Sequence, residues 1–413
     1  MDIIYPRVGG LDLHKKTILA SARRINQQGK LEEETRSFGT MTRDLLQMAD
    51  WLAAHGVTHV AMEATGVLWK PVWNILEGNF ELLLVNPREL KQVPGRKSDV
   101  KDCQWIAQLM QYGLLRNSFV PARPQRELRD LTRHRAQLQG ERTRVVNRIH
   151  KTLEDSNVKL GSVASDIVGV SGRQMLEELV NGQVDPAKIA KLAQGRMRRK
   201  IPELELALQG HLTDHHRFML KQLLSHLDQL DQQIGQFNQR IEEMVTPFVD
   251  EELKEKLDAI PGVNRTTIEN VVAEIGTDMS QFPTAAHLAS WAGICPGNEE
   301  SAGKRKRTKI TRGNRWLRRA LSEAAWAATH TKGSYLAAQY RRLAGRRGKK
   351  RALIAVAHTL LLIIYHLIKH RTDYQDLGED YFLRREPERL RRYLVKRLEQ
   401  LGYDVKLTGP EAA

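Results

Sequence analysis

The stretch that decides the fold of the amino-terminal region is Val8-Gly9-Gly10-Leu11-Asp12-Leu13, a short apolar run that contains one carboxylate. It predicts a strand over residues 8–14. The residues that follow continue an alternation of strand and helix patterns. The predicted elements are strands over residues 17–23 and 31–38, a helix over 41–55, a strand over 57–62, a helix over 68–76, a strand over 80–85 and a helix over 98–115 with Ser98 as its N-cap.

Four acidic residues lie at particular points of this order. Asp12 comes at the end of the first strand, Glu63 at the end of the fourth, and Asp99 and Asp102 open the last helix, where their spacing of three places them on one face. This order of elements is that expected of a ribonuclease-H-like α/β domain. Carboxylates at these four positions predict a Mg²⁺ or Mn²⁺ site that acts on phosphodiesters. A single acid is more often a solvated loop residue or a helix cap, so the prediction depends on the four together.

The composition favours a protein of two or three domains with a polyanionic partner. The chain has 413 residues, 41% of them hydrophobic, and a formal net charge of +16 at pH 7. Its two cysteines, Cys103 and Cys295, are too few for a disulfide framework or a zinc cluster, which predicts a location in the reducing cytoplasm. The first residues lack the pattern of a signal peptide. Apolar residues 352–368 include polar side chains and predict a buried helix, so no membrane partner is expected.

The middle of the chain predicts a helical arm. A proline-containing linker at residues 121–124 precedes a charged helix over 125–157, and smaller helices follow over 161–209, with Pro186 opening one and Pro202 breaking the stretch. A second long helix has a heptad pattern. The heptad positions are Leu220, Leu223, Leu227, Leu230, Ile234, Phe237, Ile241 and Met244. The pattern fits an antiparallel coiled-coil arm, a seam between protomers or both, and ordinary packing within one protomer explains it equally well.

From residue 253 the pattern changes to turns and short helices. Ile260-Pro261-Gly262-Val263, followed by a helix over 266–275, resembles the turn and second helix of a helix-hairpin-helix, an element that presents backbone N–H groups to a phosphate. A helix over 288–294 leads into a predicted loop over 295–311, which contains Glu300-Ser301-Ala302-Gly303.

Two basic clusters flank the apolar helices of this region. Nine Lys or Arg residues lie within 303–319 and seven within 341–351, and neither stretch contains an acid. Such clusters on a helical core predict a phosphate-contacting surface, whereas an isolated charge run is usually a solvated face. The predicted nucleic-acid-binding residues are Lys304, Arg305, Arg307, Arg312, Arg315, Arg346, Arg347, Lys349 and Lys350.

At this point the chain resembles a known family, the DEDD transposases of bacterial insertion-sequence family one hundred and ten. The resemblance covers about residues 8–370 and lies in two groups of motifs. The first is Gly10-Leu11-Asp12, Met62-Glu63-Ala64-Thr65-Gly66, Val85-Asn86-Pro87 and Lys97-Ser98-Asp99 with Asp102, and the second is Ile260-Pro261-Gly262-Val263, Ala292-Gly293-Ile294-Cys295-Pro296, Ser301-Ala302-Gly303 and Arg312-Gly313-Asn314-Arg315-Trp316-Leu317-Arg318.

The resemblance implies a RuvC-like nuclease domain over 1–120, a helical coiled-coil region over 121–250, a serine-bearing transposase domain over 251–371 and a charged tail over 372–413. It also implies that Asp12, Glu63, Asp99 and Asp102 hold the metal and that Ser301 is the nucleophile. The expected partners are donor and target DNA, a structured bridge RNA as guide, and further copies of the chain in a dimer or tetramer. Ala302 within the serine motif and the long tail depart from the family pattern.

Two other functions compete with a recombinase that cuts and rejoins DNA. The first is a metal-dependent, structure-selective nuclease of the junction-resolvase kind, which hydrolyses without rejoining and has no use for the Ser301 loop. The second is a non-catalytic nucleic-acid scaffold, which needs no acids at matched positions of a fold.

Overall fold

The computed structural model describes residues 2–26, 28–90, 99–295, 299–301, 304–307, 310, 313–385 and 387–407, without the side chains of residues 88, 89, 99–101, 299–301, 304–307 and 389. The chain divides into two compact units, Met1–Pro121 and Ala122–Ala413. It is a mixed α/β protein, mostly helical in its described residues. The finer division of the second unit into arm, serine-bearing domain and tail stays a prediction.

Unit 1 is a five-stranded sheet with helices on both faces. Its elements are β1 (Arg7–Leu13), β2 (Thr17–Ile25), β3 (Leu31–Gly39), α1 (Thr42–Ala54), β4 (His59–Glu63), α2 (Trp69–Leu76), β5 (Glu81–Val85), α3 (Pro87–Leu90) and α4 (Asp99–Gln111). The sheet order is β3-β2-β1-β4-β5, with β1, β2 and β3 antiparallel and β4 and β5 parallel to β1. The predicted order of elements is confirmed, apart from the additional α3, and the fold is consistent with a ribonuclease-H-like domain. The predicted N-cap Ser98 lies outside the described residues.

Side-chain alternation along the strands builds two different cores. Leu11 and Met62 belong to the core that α1 and α2 cover, whereas Val8 and Ala61 belong to the core that α4 covers. Since successive strand residues point to opposite faces, Asp12 and Glu63 lie on the α4 face. Gly10 allows α4 to approach, because a Cβ there would stand 2.1 Å from the carbonyl oxygen of Cys103.

Unit 2 is helical apart from one short hairpin in its described part. Its elements are α5 (Arg123–Asp155), α6 (Leu160–Val163), α7 (Val170–Val180), α8 (Pro186–Ala190), a 3₁₀ helix (Gly195–Lys200), α9 (Ile201–Ala207), α10 (Asp214–Val245), α11 (Glu251–Asp258), α12 (Arg265–Ile275), a 3₁₀ turn (Met279–Gln281), α13 (Ala285–Ala292), β6 (Glu299–Ser301), β7 (Lys304–Arg307), α14 (Arg315–Ala328), α15 (Tyr335–Arg347), α16 (Lys349–His370), α17 (Tyr381–Arg385) and α18 (Pro387–Gln400).

Two predictions about this unit were wrong in detail. Residues 295–311 were predicted as a loop, but β6 and β7 form an antiparallel hairpin within them. The sequence pattern did not predict this hairpin because basic residues are poor strand formers. The hairpin is recognised only from its backbone pairing. Pro202 does not break a helix but lies in the first turn of α9, where its missing N–H leaves no hydrogen bond unmade.

The heptad face of α10 packs against α5 of the same chain. Leu220, Leu223, Leu227 and Leu230 are buried with residues of α5 in one apolar cluster, to which α7, α8 and α9 add further side chains. The pair is antiparallel, because His216 near the start of α10 contacts Asp155 at the end of α5 while Asn238 contacts Arg135. The heptad pattern therefore describes an arm within one protomer.

Helix α16 is the central helix of the carboxy-terminal part of unit 2. It is long and apolar enough to cross a membrane by length and composition, the one such helix in the part of the chain that the structure describes, and half of that apolar stretch is buried inside the protein. It packs against α13, α14 and α15, and Tyr365 donates a 2.9 Å hydrogen bond to the carbonyl oxygen of Phe282. It is a core helix, as its polar residues predict.

Replacing Leu227 with Ala tests the assignment of the heptad face. Leu227 is 2% exposed in the seam, so we expect a loss of about 2–5 kcal/mol of stability from lost apolar burial and the cavity. Chemical denaturation followed by circular dichroism measures it. Phe218→Ala is the control, because Phe218 on the same helix is 60% exposed. A folded Leu227→Ala protein with unchanged stability and a lower mass in light scattering would assign the face to a contact between protomers.

Candidate active site

Asp12 and Glu63 end neighbouring parallel strands of unit 1. Leu11 is paired with Met62, so the next positions along β1 and β4 are Asp12 and Glu63. Neighbouring strands are about 4.8 Å apart, and both residues lie on the α4 face. The structure therefore brings together two of the four acids that the sequence singled out.

Asp12 is partly buried and faces α4. Its side chain is 15% exposed and is 3.0 Å from Nε2 of the half-exposed His14. Burial raises the pKa of the Cys103 thiol on α4 to about 11, and the negative charge of Asp12 adds to that rise. Since Asp102 precedes Cys103 in the chain, Asp12 lies beside the helical turn that carries Asp102.

A polar network beneath α4 fixes this helix on the sheet. Arg23 of β2, 8% exposed, donates through Nε to Gln111 at the end of α4 over 2.7 Å and pairs with Glu33 of β3 over 3.3 Å. Gln104 on α4 donates to the hydroxyl of Thr35 over 3.2 Å. These contacts hold α4, and with it Asp102, at one position along the strands.

Asp12 and Glu63 share the α4 face of the sheet, but the described residues form no metal-binding cluster. Among the described residues no three His, Cys, Asp or Glu side chains lie close enough to hold one ion. Asp99 begins α4, but its side chain lies outside the described part. The carboxylate oxygens suit Mg²⁺ or Mn²⁺, which prefer hard oxygen ligands, so the chemistry of the donors fits the predicted metal.

Ser301 lies at the end of the hairpin in unit 2. It is the last residue of β6 and pairs with Lys304, the first residue of β7. Its side chain lies outside the described residues, as do those of Lys304, Arg305 and Arg307 and the whole of Ala302, Gly303 and Arg312. The register places the serine backbone opposite a lysine, next to the turn.

The two ends of the segment that carries Ser301 meet at a pair of glycines. A Cβ added to Gly313 would stand 2.3 Å from the backbone nitrogen of Gly293, so no other residue fits at position 313 without a shift. Gly293 ends α13 in the left-handed conformation, with φ of +70°. The segment therefore leaves the helical core and returns to it at one point.

Asn314, at the end of the segment that carries Ser301, is hydrogen-bonded to the buried carboxylate of Glu274 on α12. Its Oδ1 caps α14 by accepting from the backbone nitrogens of Trp316 and Leu317 at 3.0 and 3.1 Å. Its Nδ2 donates to Glu274 over 2.5 Å. Glu274, 2% exposed, also accepts two hydrogen bonds from Arg133 at 2.7 and 2.8 Å. A bidentate pair of this kind fixes both side chains in direction as well as distance.

Helix α12, which carries Glu274, also carries a second buried carboxylate, and this one binds Arg135. Arg135 is 2% exposed and donates to Glu269, also 2% exposed, and over 3.1 and 3.0 Å to Asn238 and Asn270. The sequence analysis did not identify Glu269 or Glu274 as the buried partner of an arginine in α5. A signal was present, because a charge at a seam position requires a buried partner.

The predicted helix-hairpin-helix turn is used for packing. Gly262 has φ of +82°, and a Cβ there would stand 2.3 Å from the carbonyl oxygen of Ala324 on α14. Asn264 caps α12 by accepting from the backbone nitrogen of Thr267. Gly262 is therefore required by the close approach of α14. At the start of α12, the backbone N–H of Thr267 is already hydrogen-bonded to Asn264 and does not face a phosphate alone.

The described basic residues are exposed on two helical surfaces. Arg315 lies 4.6 Å from the centroid of the Trp316 ring at the start of α14. Arg346 and Arg347 lie in the last turn of α15, and Lys349 and Lys350 begin α16. Exposed cations beside an aromatic ring suit a nucleic-acid backbone and its bases.

Comparisons with known proteins give two matches to family models. The first, described as a transposase and built on DEDD transposases of the IS110 type, matches residues 9–157. The second, described as the transposase IS116/IS110/IS902 family, matches residues 254–341. Together they take in the region of the acids and the region of Ser301. The chain matches IS110-family DEDD transposases in both of its units.

Individual relatives of the IS110 family point the same way. The transposase for insertion sequence element IS1111A of Coxiella burnetii is 26% identical over 340 residues, 80% of this chain and 82% of that protein. A pilin gene-inverting protein of Moraxella bovis is 35% identical over 118 residues, 27% of this chain and 36% of that protein. Transposase, DNA recombination and insertion-sequence functions are therefore supported for the chain, which makes it a DNA-processing enzyme.

Replacing Glu269 with Ala tests the buried ion pair. We expect a loss of about 3–5 kcal/mol of stability, because Arg135 would keep its charge without its main partner. Thermal and chemical denaturation measure this loss. Glu243→Ala is the control, since Glu243 pairs with Arg240 at the surface and should contribute less than about 1 kcal/mol. The double change Arg135→Met with Glu269→Leu should recover most of the loss, and an equal loss in the double variant would contradict the charge argument.

Proposed function

We propose that the protein is an insertion-sequence recombinase that cuts and rejoins DNA through Ser301. The observation that carries the proposal is the position of Ser301 at the end of β6, opposite Lys304, on a segment closed at its base by Gly293 and Gly313. A nucleophile must be held at a fixed position to gain from proximity. A hairpin with a closed base on a helical core supplies that constraint.

The proposed reaction is a transesterification. The Oγ atom of Ser301 attacks the phosphorus of a DNA phosphodiester, so a bond from Oγ to phosphorus forms and the bond from phosphorus to one deoxyribose oxygen breaks. The hydroxyl proton passes to a basic group of the site, and the leaving oxygen takes up a proton. The number of phosphoester bonds stays the same. A hydroxyl group of a new strand then reverses the step and joins DNA without an external energy source.

Positive side chains have a defined task in this reaction. The attacked phosphate gains negative charge in the transition state, and fixed cations near it lower the barrier. Lys304, Arg305 and Arg307 follow Ser301 in the hairpin, and Arg312 and Arg315 follow in the chain. We assign these residues to the phosphates beside the reacting one, and Arg346, Arg347, Lys349 and Lys350 to DNA or RNA further along the strand.

The acids of unit 1 are proposed to hold the divalent metal. Asp12, Glu63, Asp99 and Asp102 would ligate Mg²⁺ or Mn²⁺ through carboxylate oxygens. A bound metal there supplies charge neutralisation at a phosphate and lowers the pKa of bound water. His14, at 3.0 Å from Asp12, would keep that carboxylate in place.

Guidance by a structured bridge RNA and assembly into a dimer or tetramer belong to the same proposal. The resemblance of both motif groups to RNA-guided recombinases supports the guide, and the net charge of +16 fits several nucleic-acid strands. Such a protein would work in the cytoplasm, at the nucleoid. In this chain the heptad face packs against α5, so we place the contact between protomers on other surfaces.

Replacing Asp12 or Glu63 with Asn or Gln tests the metal site. We expect recombination to fall by at least about a hundredfold, since the neutral amides lose the charge that a divalent ion requires. A recombination assay titrated with Mg²⁺ and Mn²⁺ measures this loss, and thermal melts check folding. Asp44→Asn is the control, because Asp44 lies at the start of α1, on the other face of the sheet. Full activity of Asp12→Asn would exclude it from the metal site.

Replacing Ser301 with Ala tests the nucleophile. A suicide DNA substrate should leave a protein-linked strand on a denaturing gel with the native chain and none with Ser301→Ala. DNA affinity should be unchanged, because one hydroxyl contributes little to binding by many cations.

Ser280→Ala is the matched control, since Ser280 is an exposed serine of the same unit. Normal joining by Ser301→Ala, or an adduct on another residue, would contradict the proposal. Metal-dependent cleavage without joining in the native chain would favour the hydrolytic nuclease.

A further inference from the structure

The residues after α16 do not form a loose tail but fold back on the helical core of unit 2. Arg371 pairs with Asp250 at 2.8 Å, and Lys256 pairs with Asp373. Asp376 accepts from the backbone nitrogen of Tyr335 over 2.9 Å, at the start of α15. These contacts fix the direction in which the chain approaches α15.

The tail helices α17 and α18 then form a groove with α15. Phe382 of α17 stacks on Tyr335 with a centroid distance of 5.2 Å, and the guanidinium of Arg342 lies 4.8 Å from the centroid of Phe382. Phe382 lines both of two recesses, which have volumes of about 430 and 370 Å³. The larger volume is within the range of small-molecule and nucleotide-sized pockets.

The lining of the groove is both cationic and apolar. Arg341, Arg342 and Arg346 lie along α15, and Arg385 of α17 lines the smaller recess. Among the described lining residues the one acid is Glu379, which is paired with Arg341 at 3.2 Å. A groove with this excess of arginine selects an anion.

The opposite wall supplies an exposed aromatic face. Tyr393 of α18 lines the larger recess and is 58% exposed, next to Leu390 on the same helix. An exposed tyrosine that lines the same recess as three arginines is a combination that binds unpaired nucleotides, because a base stacks on the ring while its phosphate meets the guanidinium groups. A base inside a duplex cannot stack on the tyrosine ring, because neighbouring base pairs cover both of its faces.

We propose that the groove between α15 and the tail helices binds an unpaired nucleotide of a nucleic-acid strand, with its base on Tyr393 and its phosphate at Arg346. The basic surface of Arg347, Lys349 and Lys350 continues from Arg346 and carries the neighbouring phosphates. The proposal rests on the nucleic-acid partner of the proposed function but not on Ser301 as nucleophile. It gives the tail a role in holding single strands.

Fluorescence anisotropy with the full chain tests the groove. The probes are labelled oligothymidine and oligouridine strands of about 12 nucleotides and a dA·dT duplex of equal length. Tyr393→Ala should weaken single-strand binding by about tenfold and leave duplex binding unchanged, and Tyr393→Phe should keep native affinity. Arg346→Gln should reduce the slope of log affinity against log salt by about 0.7 on single strands.

Two variants serve as matched controls. Tyr403→Ala removes a tyrosine of the tail that is 64% exposed and does not line the groove, and Arg392→Gln removes an exposed arginine from α18 outside the lining. Neither should give the single-strand loss seen with Tyr393→Ala, and circular dichroism checks that all variants fold. A larger loss with oligouridine assigns the groove to RNA, and a larger loss with oligothymidine assigns it to DNA.

Three results would overturn the proposal: unchanged single-strand affinity of Tyr393→Ala, an equal loss on duplex, or the same loss in Tyr403→Ala. Failure of the proposed function looks different. A chain that binds single strands through Tyr393 but forms no Ser301-linked DNA would keep the groove and lose the nucleophile.

Discussion

Unit 2 depends on two carboxylates, Glu269 and Glu274, that are buried five residues apart on α12. Each is 2% exposed, and each is paired with an arginine of α5. Ions taken out of water at this depth are tolerated only when partners satisfy them, and the partners then have one acceptable arrangement. The long helix α5 and the start of α14 are fixed relative to α12 through these contacts. The same contacts bear on the catalytic proposal, because Asn314 at the end of the Ser301 segment is hydrogen-bonded to Glu274.

The end of α12 shows how this helix is completed by side chains of another. Gln125 donates to the carbonyl oxygen of Ala273 over 3.2 Å, and Arg129 donates to the same oxygen over 2.9 Å. The last carbonyl groups of a helix lack partners within it and carry partial negative charge, so a cation there is favoured. Burial lowers the pKa of Arg129 to about 10, which leaves it protonated at neutral pH. Helix α5 is therefore both one half of the arm and the cap of α12.

Regular periodicity in the sequence was enough to predict much of the fold. The order of strands and helices along the chain of unit 1 follows from short apolar runs. The positions of Asp12 and Glu63 follow from the ends of those runs. The heptad of α10 predicted a packed face but not its partner, because period carries no information about which helix covers it. The partners of Arg135 could not be read from spacing, since Asn238 and Glu269 lie more than a hundred residues away along the chain. The hairpin of Ser301 was missed because its strands are short and charged, and the packing of the residues after α16 on unit 2 was missed because it rests on a few scattered polar pairs and aromatic contacts.

The close approach of Gly293 and Gly313 has a consequence for the architecture of unit 2. Where a chain leaves a core and returns to it at nearly the same point, the excursion is topologically independent of the rest. Its closure entropy changes only slowly with its length. Helices α13 and α14 would keep their packing if the excursion were lengthened, shortened or opened at its tip, as tolerated insertions and circular permutations require. The hairpin is thus a module whose length can change while its base at Gly293 and Gly313 and the helical core remain the same.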